Sequence, residues 1–206
     1  MIRLLILLSL LLSACGGGLD HQPVAQGSTV LAFGDSITWG TGAGRGQDYP
    51  GQLAAATGWR VVNGGLPGNT AAAATRRIAQ LLAEHDPALV IVELGGNDFL
   101  ARRSPPQVKE DLRAIIHSIR RHGSQVVLVA VPAFSVFRAT LGSLADAAIY
   151  SELGDEEGVL VIDGLLADIL SADQLRADPI HPNAAGYRQL AAGIAEALAD
   201  AGLAGY

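Results

Sequence analysis

The residues best suited to chemistry are Ser36, Asp178 and His181. Ser36 closes the stretch Thr29-Val30-Leu31-Ala32-Phe33-Gly34-Asp35-Ser36, where a short apolar run stops at a glycine, an acid and a hydroxyl. A serine hydroxyl is a poor nucleophile at neutral pH and needs a base to take its proton as it attacks. Histidines stand at positions 21, 85, 117, 122 and 181. His21 lies in a polar N-terminal stretch, and His85, His117 and His122 fall on or beside amphipathic helical patterns, the setting of ordinary surface histidines. His181 differs: Pro179 and Pro182 restrict the backbone around it and exclude a continuous helix. Asp178 and His181 therefore share a rigid turn, on which the acid can orient the imidazole and stabilise its charged form.

Such groups need a platform. Residues 29–33 are β-branched or apolar over a short span, which predicts a strand buried on both faces. Gly34, Gly40, Gly42, Gly44 and Gly46 crowd the positions that follow, so an irregular loop is expected there. In parallel α/β sheets the loops past the carboxyl ends of strands bind ligands. A serine in that position could equally cap a helix, and Ser36 alone does not decide.

Further strands are predicted at 59–63, 88–94, 125–131 and 159–162. A helix is expected to start at Asp48-Tyr49-Pro50 and run to residue 57. Others are expected at 70–86, 105–122, 141–157 and 183–201. In 105–122 the residues Val108, Leu112, Ile115, Ile116 and Ile119 share one side, with Lys109, Glu110, Arg113, Arg120 and Arg121 opposite. The alternation of strand and helix implies a three-layer α/β fold: a five-stranded parallel sheet, right-handed crossovers and helices on both faces.

Three more stretches accompany the serine: Asn63-Gly64-Gly65-Leu66-Pro67-Gly68-Asn69-Thr70, Glu93-Leu94-Gly95-Gly96-Asn97-Asp98 and Asp178-Pro179-Ile180-His181-Pro182-Asn183. With Gly34-Asp35-Ser36 they resemble the four blocks of the GDSL or SGNH hydrolase family, from about Val30 to about Leu198. The resemblance implies a flavodoxin-like strand order, 2-1-3-4-5. It implies a Ser36, His181 and Asp178 triad, with an oxyanion hole from the backbone N–H of Ser36, the backbone N–H of Gly68 and the side-chain amide of Asn97. Gly65 is the other candidate for the second donor. Asn97 read by itself is a turn former; Asp98 is expected to serve that turn and Asp35 to brace its loop. Within the family the blocks look most like a compact branch of thioesterases, lysophospholipases and arylesterases. Phe99-Leu100-Ala101-Arg102 departs from that branch just after the third block.

The chain has 206 residues, half of them hydrophobic, enough for one compact domain. Its formal charge of -6, without a basic cluster longer than a pair, argues against a nucleic-acid partner. Met1-Ile2-Arg3 and the apolar residues 4–12 have the form of a signal peptide, and Leu12-Ser13-Ala14-Cys15 resembles a bacterial lipobox. Expected are a signal peptide over 1–14, a lipidated Cys15 and flexible tether over 15–28, and a hydrolase domain over 29–206. That places the protein at the bacterial cell envelope, held to the membrane by acyl chains at Cys15, with a monomer expected. Cys15 is the only cysteine, so no intrachain disulfide forms.

The chain lacks the Gly-x-Ser-x-Gly elbow, a metal-ligand cluster, a Walker loop and a dinucleotide fingerprint, so no metal or cofactor is implied. The expected activity is that of a serine esterase on a small acyl or aryl ester, thioester or lysophospholipid. The alternatives are an envelope carbohydrate O-deacetylase of the same fold and a lipid-anchored binding protein without catalysis.

Overall fold

The computed structural model describes residues 21–133 and 144–204. Strands β1 (Thr29–Gly34), β2 (Arg60–Gly65), β3 (Leu89–Glu93), β4 (Gln125–Val129) and β5 (Leu160–Ile162) form one sheet in the order β2-β1-β3-β4-β5. All four pairings are parallel. Every residue of β3 is buried, as is β1 beyond its first residue. Their apolar side chains therefore pack on both faces, each contributing about 1.5 to 3 kcal/mol through burial. The register sets Gly34 level with Gly65 on one side and Glu93 on the other. The three loops that follow thus leave the sheet side by side.

The α-helices among the described residues are α1 (Ser36–Trp39), α2 (Tyr49–Thr57), α3 (Ala71–Ala74), α4 (Ile78–His85), α5 (Gly96–Leu100), α6 (Pro105–His122), α7 (Ile149–Glu157), α8 (Leu165–Ser171) and α9 (Ala184–Asp200). One layer is built from α3, α4, α6 and α7, the other from α2, α8 and α9. Val108, Leu112, Ile115, Ile116 and Ile119 of α6 are all buried, as its periodicity predicts. Its polar side is not merely solvated: Lys109 bonds Glu152 and Glu156 of α7 at 2.7 Å, and Arg113 reaches Glu156 at 2.6 Å.

Several expectations are corrected. The 70–86 helix is two helices, because the backbone leaves helical bonding at Thr75, Arg76 and Arg77. The 141–157 helix begins only at Ile149; residues 144–148 are not helical, Pro132 and Asp146 forming a bridge, and 141–143 lie outside the described residues. A short helix, α1, comes between β1 and the irregular loop over residues 40–48, while α8 and a two-stranded hairpin, β6 (Arg176–Asp178) with β7 (His181–Pro182), were not foreseen.

The tether does not extend to residue 28. Val24 is buried, its N–H donates to Leu203 O at 2.8 Å and its carbonyl accepts from Trp59 Nε1 at 3.2 Å. Gln22 exchanges two bonds with Gln125, the first residue of β4. The expected signal peptide and Cys15 lie outside the described residues.

Candidate active site

Ser36 is the first residue of α1, immediately past the carboxyl end of β1. Asp35, not Ser36, caps that helix: its Oδ1 accepts from the Ile37 N–H at 3.0 Å. The cap frees the serine hydroxyl, and His181 Nε2 lies 3.0 Å from Ser36 Oγ. On the other side of the ring, His181 Nδ1 is 2.8 Å from Asp178 Oδ2. A carboxylate can only accept, so the Nδ1 proton faces Asp178 and Nε2 is left to accept from the serine.

The β6–β7 hairpin sets this geometry by pairing Asp178 directly with His181. Asp178 Oδ1 also takes the N–H groups of Ile180 and His181, both at 2.9 Å. Burial alone would raise the Asp178 carboxyl, but the bonds from the His181 ring and from these backbone groups hold it below its usual range. Asn183 then starts α9, its side chain accepting from Ala185 and Gly186 and donating to Gln174 O.

Two contacts bring the hairpin to the serine. Tyr187 of α9 donates to Thr41 O at 2.8 Å. Gly42 has φ +96°, and a Cβ there would lie 2.5 Å from Pro182 O and 3.4 Å from His181 Cβ. A side chain at 42 would push the histidine away.

Gly68 also has a positive φ, +77°, but a Cβ there would meet nothing within 4 Å. Its glycine answers the backbone conformation, and open space lies beside it. Asn97, on α5, donates through Nδ2 to Asp35 Oδ2 at 2.8 Å and to Asn69 O at 3.1 Å. Both amide hydrogens thus have acceptors, and an oxyanion would compete with Asn69 O, the longer contact. Asp98 does more than serve a local turn: fully buried, it accepts from the Ala71 N–H at 2.8 Å and pairs with Arg103. It therefore ties α5 to the helix after Gly68. Arg77 donates to Gly64 O at 2.7 Å and to Gly34 O at 2.8 Å.

The four sequence blocks thus meet past the carboxyl ends of the strands, a hydroxyl against a base that is itself held by an acid. The model of the GDSL-like Lipase/Acylhydrolase family matches residues 32–189, which span all four. The chain belongs to the GDSL-like lipase/acylhydrolase family. It is 30% identical over 188 residues to "Esterase TesA" of Pseudomonas aeruginosa, covering 88% of this chain and 93% of that protein. It is 29% identical over 164 residues to "Thioesterase 1/protease 1/lysophospholipase L1" of Escherichia coli K12, covering 77% of each. Among solved structures, that of TesA superposes with a TM-score of 0.72 at 28% identity, over 84% of this chain and 99% of that one.

Beneath the family's motif residues lies a group that the sequence reading passed over. The strand predicted at 88–94 holds one acid in an otherwise apolar run, Glu93, which is completely buried. A lone acid in a central-strand pattern was the available signal. Asp35 beside it is also buried. Burial pushes its carboxyl up to about 6, against the lowering effects of the Ile37 N–H, His181, the Asn97 amide and Glu93.

Proposed function

We propose that this GDSL-family protein is a serine esterase whose nucleophile is Ser36. The carrying observation is the 3.0 Å contact between Ser36 Oγ and His181 Nε2, with Asp178 at 2.8 Å behind the ring. Ser36 Oγ forms a bond to the ester carbonyl carbon as its proton passes to Nε2. The tetrahedral oxyanion is met by the N–H of Ser36, the N–H of Gly68 and Asn97 Nδ2. Its collapse breaks the bond to the leaving alcohol, which takes the proton from His181 and leaves an acyl-serine. Water, deprotonated by the same imidazole, then releases the acid.

The substrate is an ester with an apolar acyl or aryl part. The exposed large hydrophobics among the described residues are Trp39, Leu66 and Leu100, at 57%, 48% and 42%. Each lies within three residues of a proposed oxyanion donor, which favours an apolar group over an acetylated sugar. Hydrolysis of p-nitrophenyl esters from acetyl to palmitoyl, beside a thioester, a lysophospholipid and an acetylated sugar, tests this. Preference for the sugar acetate would overturn the apolar reading, and inactivity on every ester would overturn the enzyme reading.

Cys15 carries the lipid anchor in this reading. Support comes from the leader and from the way the chain enters the domain: Gln22 and Val24 are held near the starts of β4 and β2, while Ser36 lies past the end of β1. The anchored side and the catalytic face then lie at opposite ends of the strands. Metabolic palmitate labelling that is lost in Cys15→Ser supports the anchor, and equal label in both refutes it.

A further inference from the structure

We infer that Glu93 is a positioning residue, a neutral carboxylic acid that donates to Asp35 and through Asp35 fixes the Asn97 amide beside the oxyanion hole. The inference rests on the reading of Asn97 as an oxyanion donor.

Glu93 ends β3, level with Gly34, and is completely buried. Its Oε2 accepts from Thr38 Oγ1 at 2.9 Å. Thr38 has one hydroxyl proton, so the Tyr49 hydroxyl, 3.0 Å away, must donate to Thr38. This leaves Oε1, which is buried and accepts no hydrogen bond among the described residues. An ionised carboxylate with one oxygen so placed would be costly. The register sets Glu93 level with Gly34, the residue before Asp35, and a proton on Glu93 makes it a donor to the Asp35 side chain. Asp35 then has three donors around it: the Ile37 N–H, Asn97 Nδ2 and Glu93. Two close carboxyls cannot both ionise in a dry site, and Glu93 is the more deeply buried. Burial, and then the charge of Asp35, hold Glu93 well above the usual carboxylate range.

The groups facing the pair come from every side. The backbone N–H groups of Asp35 and Thr38 face Glu93 and favour its charged form, but burial and the Asp35 charge outweigh them. His181 of β7 faces Asp35. Tyr49 of α2, Tyr150 of α7 and Tyr187 of α9 are pushed upward by burial and by these same carboxyls, so they stay neutral. Asp98 of α5 is already paired with Arg103. Glu93 is thus the proton-bearing member of the cluster, and its loss of that proton would set a second negative charge against Asp35.

The test compares Glu93→Gln, Glu93→Leu and Asn97→Ala by pre-steady-state acylation with p-nitrophenyl acetate across pH, with folding followed by circular dichroism. Glutamine can accept from Thr38 and donate to Asp35, so Glu93→Gln should acylate within about threefold of wild type. Leucine can do neither; Glu93→Leu should acylate about tenfold to a hundredfold more slowly, with KM within about twofold, a smaller loss than removal of a donor itself. Wild type should lose acylation rate on the alkaline side as Glu93 ionises, and Glu93→Gln should not. The inference is overturned if folded Glu93→Leu matches Glu93→Gln, or if both lose equally. It is also overturned if the alkaline fall is the same in wild type and Glu93→Gln, an arm that holds even if Glu93→Leu does not fold. Slow Asn97→Ala with unimpaired Glu93→Leu defeats this inference alone, whereas wild-type acylation by Asn97→Ala defeats the oxyanion reading beneath it.

Discussion

Arg77 donates to the carbonyl oxygen of Gly34 at 2.8 Å, and its other terminal nitrogen reaches Gly64 O at 2.7 Å. One guanidinium thereby joins the ends of β1 and β2, the strands that lead to Ser36 and to Gly68. Its charge stacks over the Phe33 ring at 4.3 Å, and burial draws its pKa downward. Arg77→Met removes both bonds and should cost about 2 kcal/mol in denaturant unfolding, with kcat reduced more than KM is changed. Lysine cannot span two carbonyls as a planar fork does, so Arg77→Lys should fall between methionine and wild type. Unchanged kcat in a folded Arg77→Met would show that the clamp does not position the donors.

Asp178→Asn tests the acid behind the imidazole. Its Oδ1 takes two backbone N–H groups, so the amide oxygen should stay there and present the NH2 to His181 Nδ1. The ring must then carry its proton on Nε2, the wrong side for accepting from Ser36. The expected fall in kcat is on the order of a thousandfold to ten-thousandfold, with the hairpin intact. A fall of less than about tenfold would remove Asp178 from the triad.

Asp35 links the site to stability. Burial raises its carboxyl to about 6 in the folded protein, above the ordinary 3.8, so its ionisation opposes folding. The stability it contributes is complete below about pH 3.8 and is lost as pH rises through about 6. Relative to wild type, Asp35→Asn should therefore gain roughly 2 to 3 kcal/mol between pH 4 and pH 7. Comparing the two proteins cancels the carboxyls that do not face Asp35; Glu93, which does, keeps its proton in this range. A difference in unfolding free energy that stays flat across that range would contradict the assignment.

The strands and the hydrolase blocks were legible because each rests on local chemistry: short β-branched runs for the sheet, Asp178 and two prolines for the histidine turn. The parallel alternation could be read in the same way, but the strand order came from the family resemblance. What escaped depends on pairs made through space. The break at residues 75–77 interrupts an alanine-rich helical pattern, and Arg77 there reaches carbonyls on two strands. Val24 carries no local sign that it will bond Leu203. Nor does Asn97 reveal from its turn-forming context that Asp35 will hold its amide. Glu93 was visible as an acid in an apolar run, yet its partners, Thr38 and Asp35, follow from the adjacency of β1 and β3.

The central claim is that Ser36 is the residue acylated during turnover, and the most direct measurement is to trap it. Incubation with a fluorophosphonate, followed by peptide mapping by mass spectrometry, should place one adduct on Ser36, with labelling strongly slowed in His181→Ala. Esterase activity should vanish in step with labelling and be absent in Ser36→Ala. An adduct on another serine, or undiminished hydrolysis by Ser36→Ala, would contradict the account.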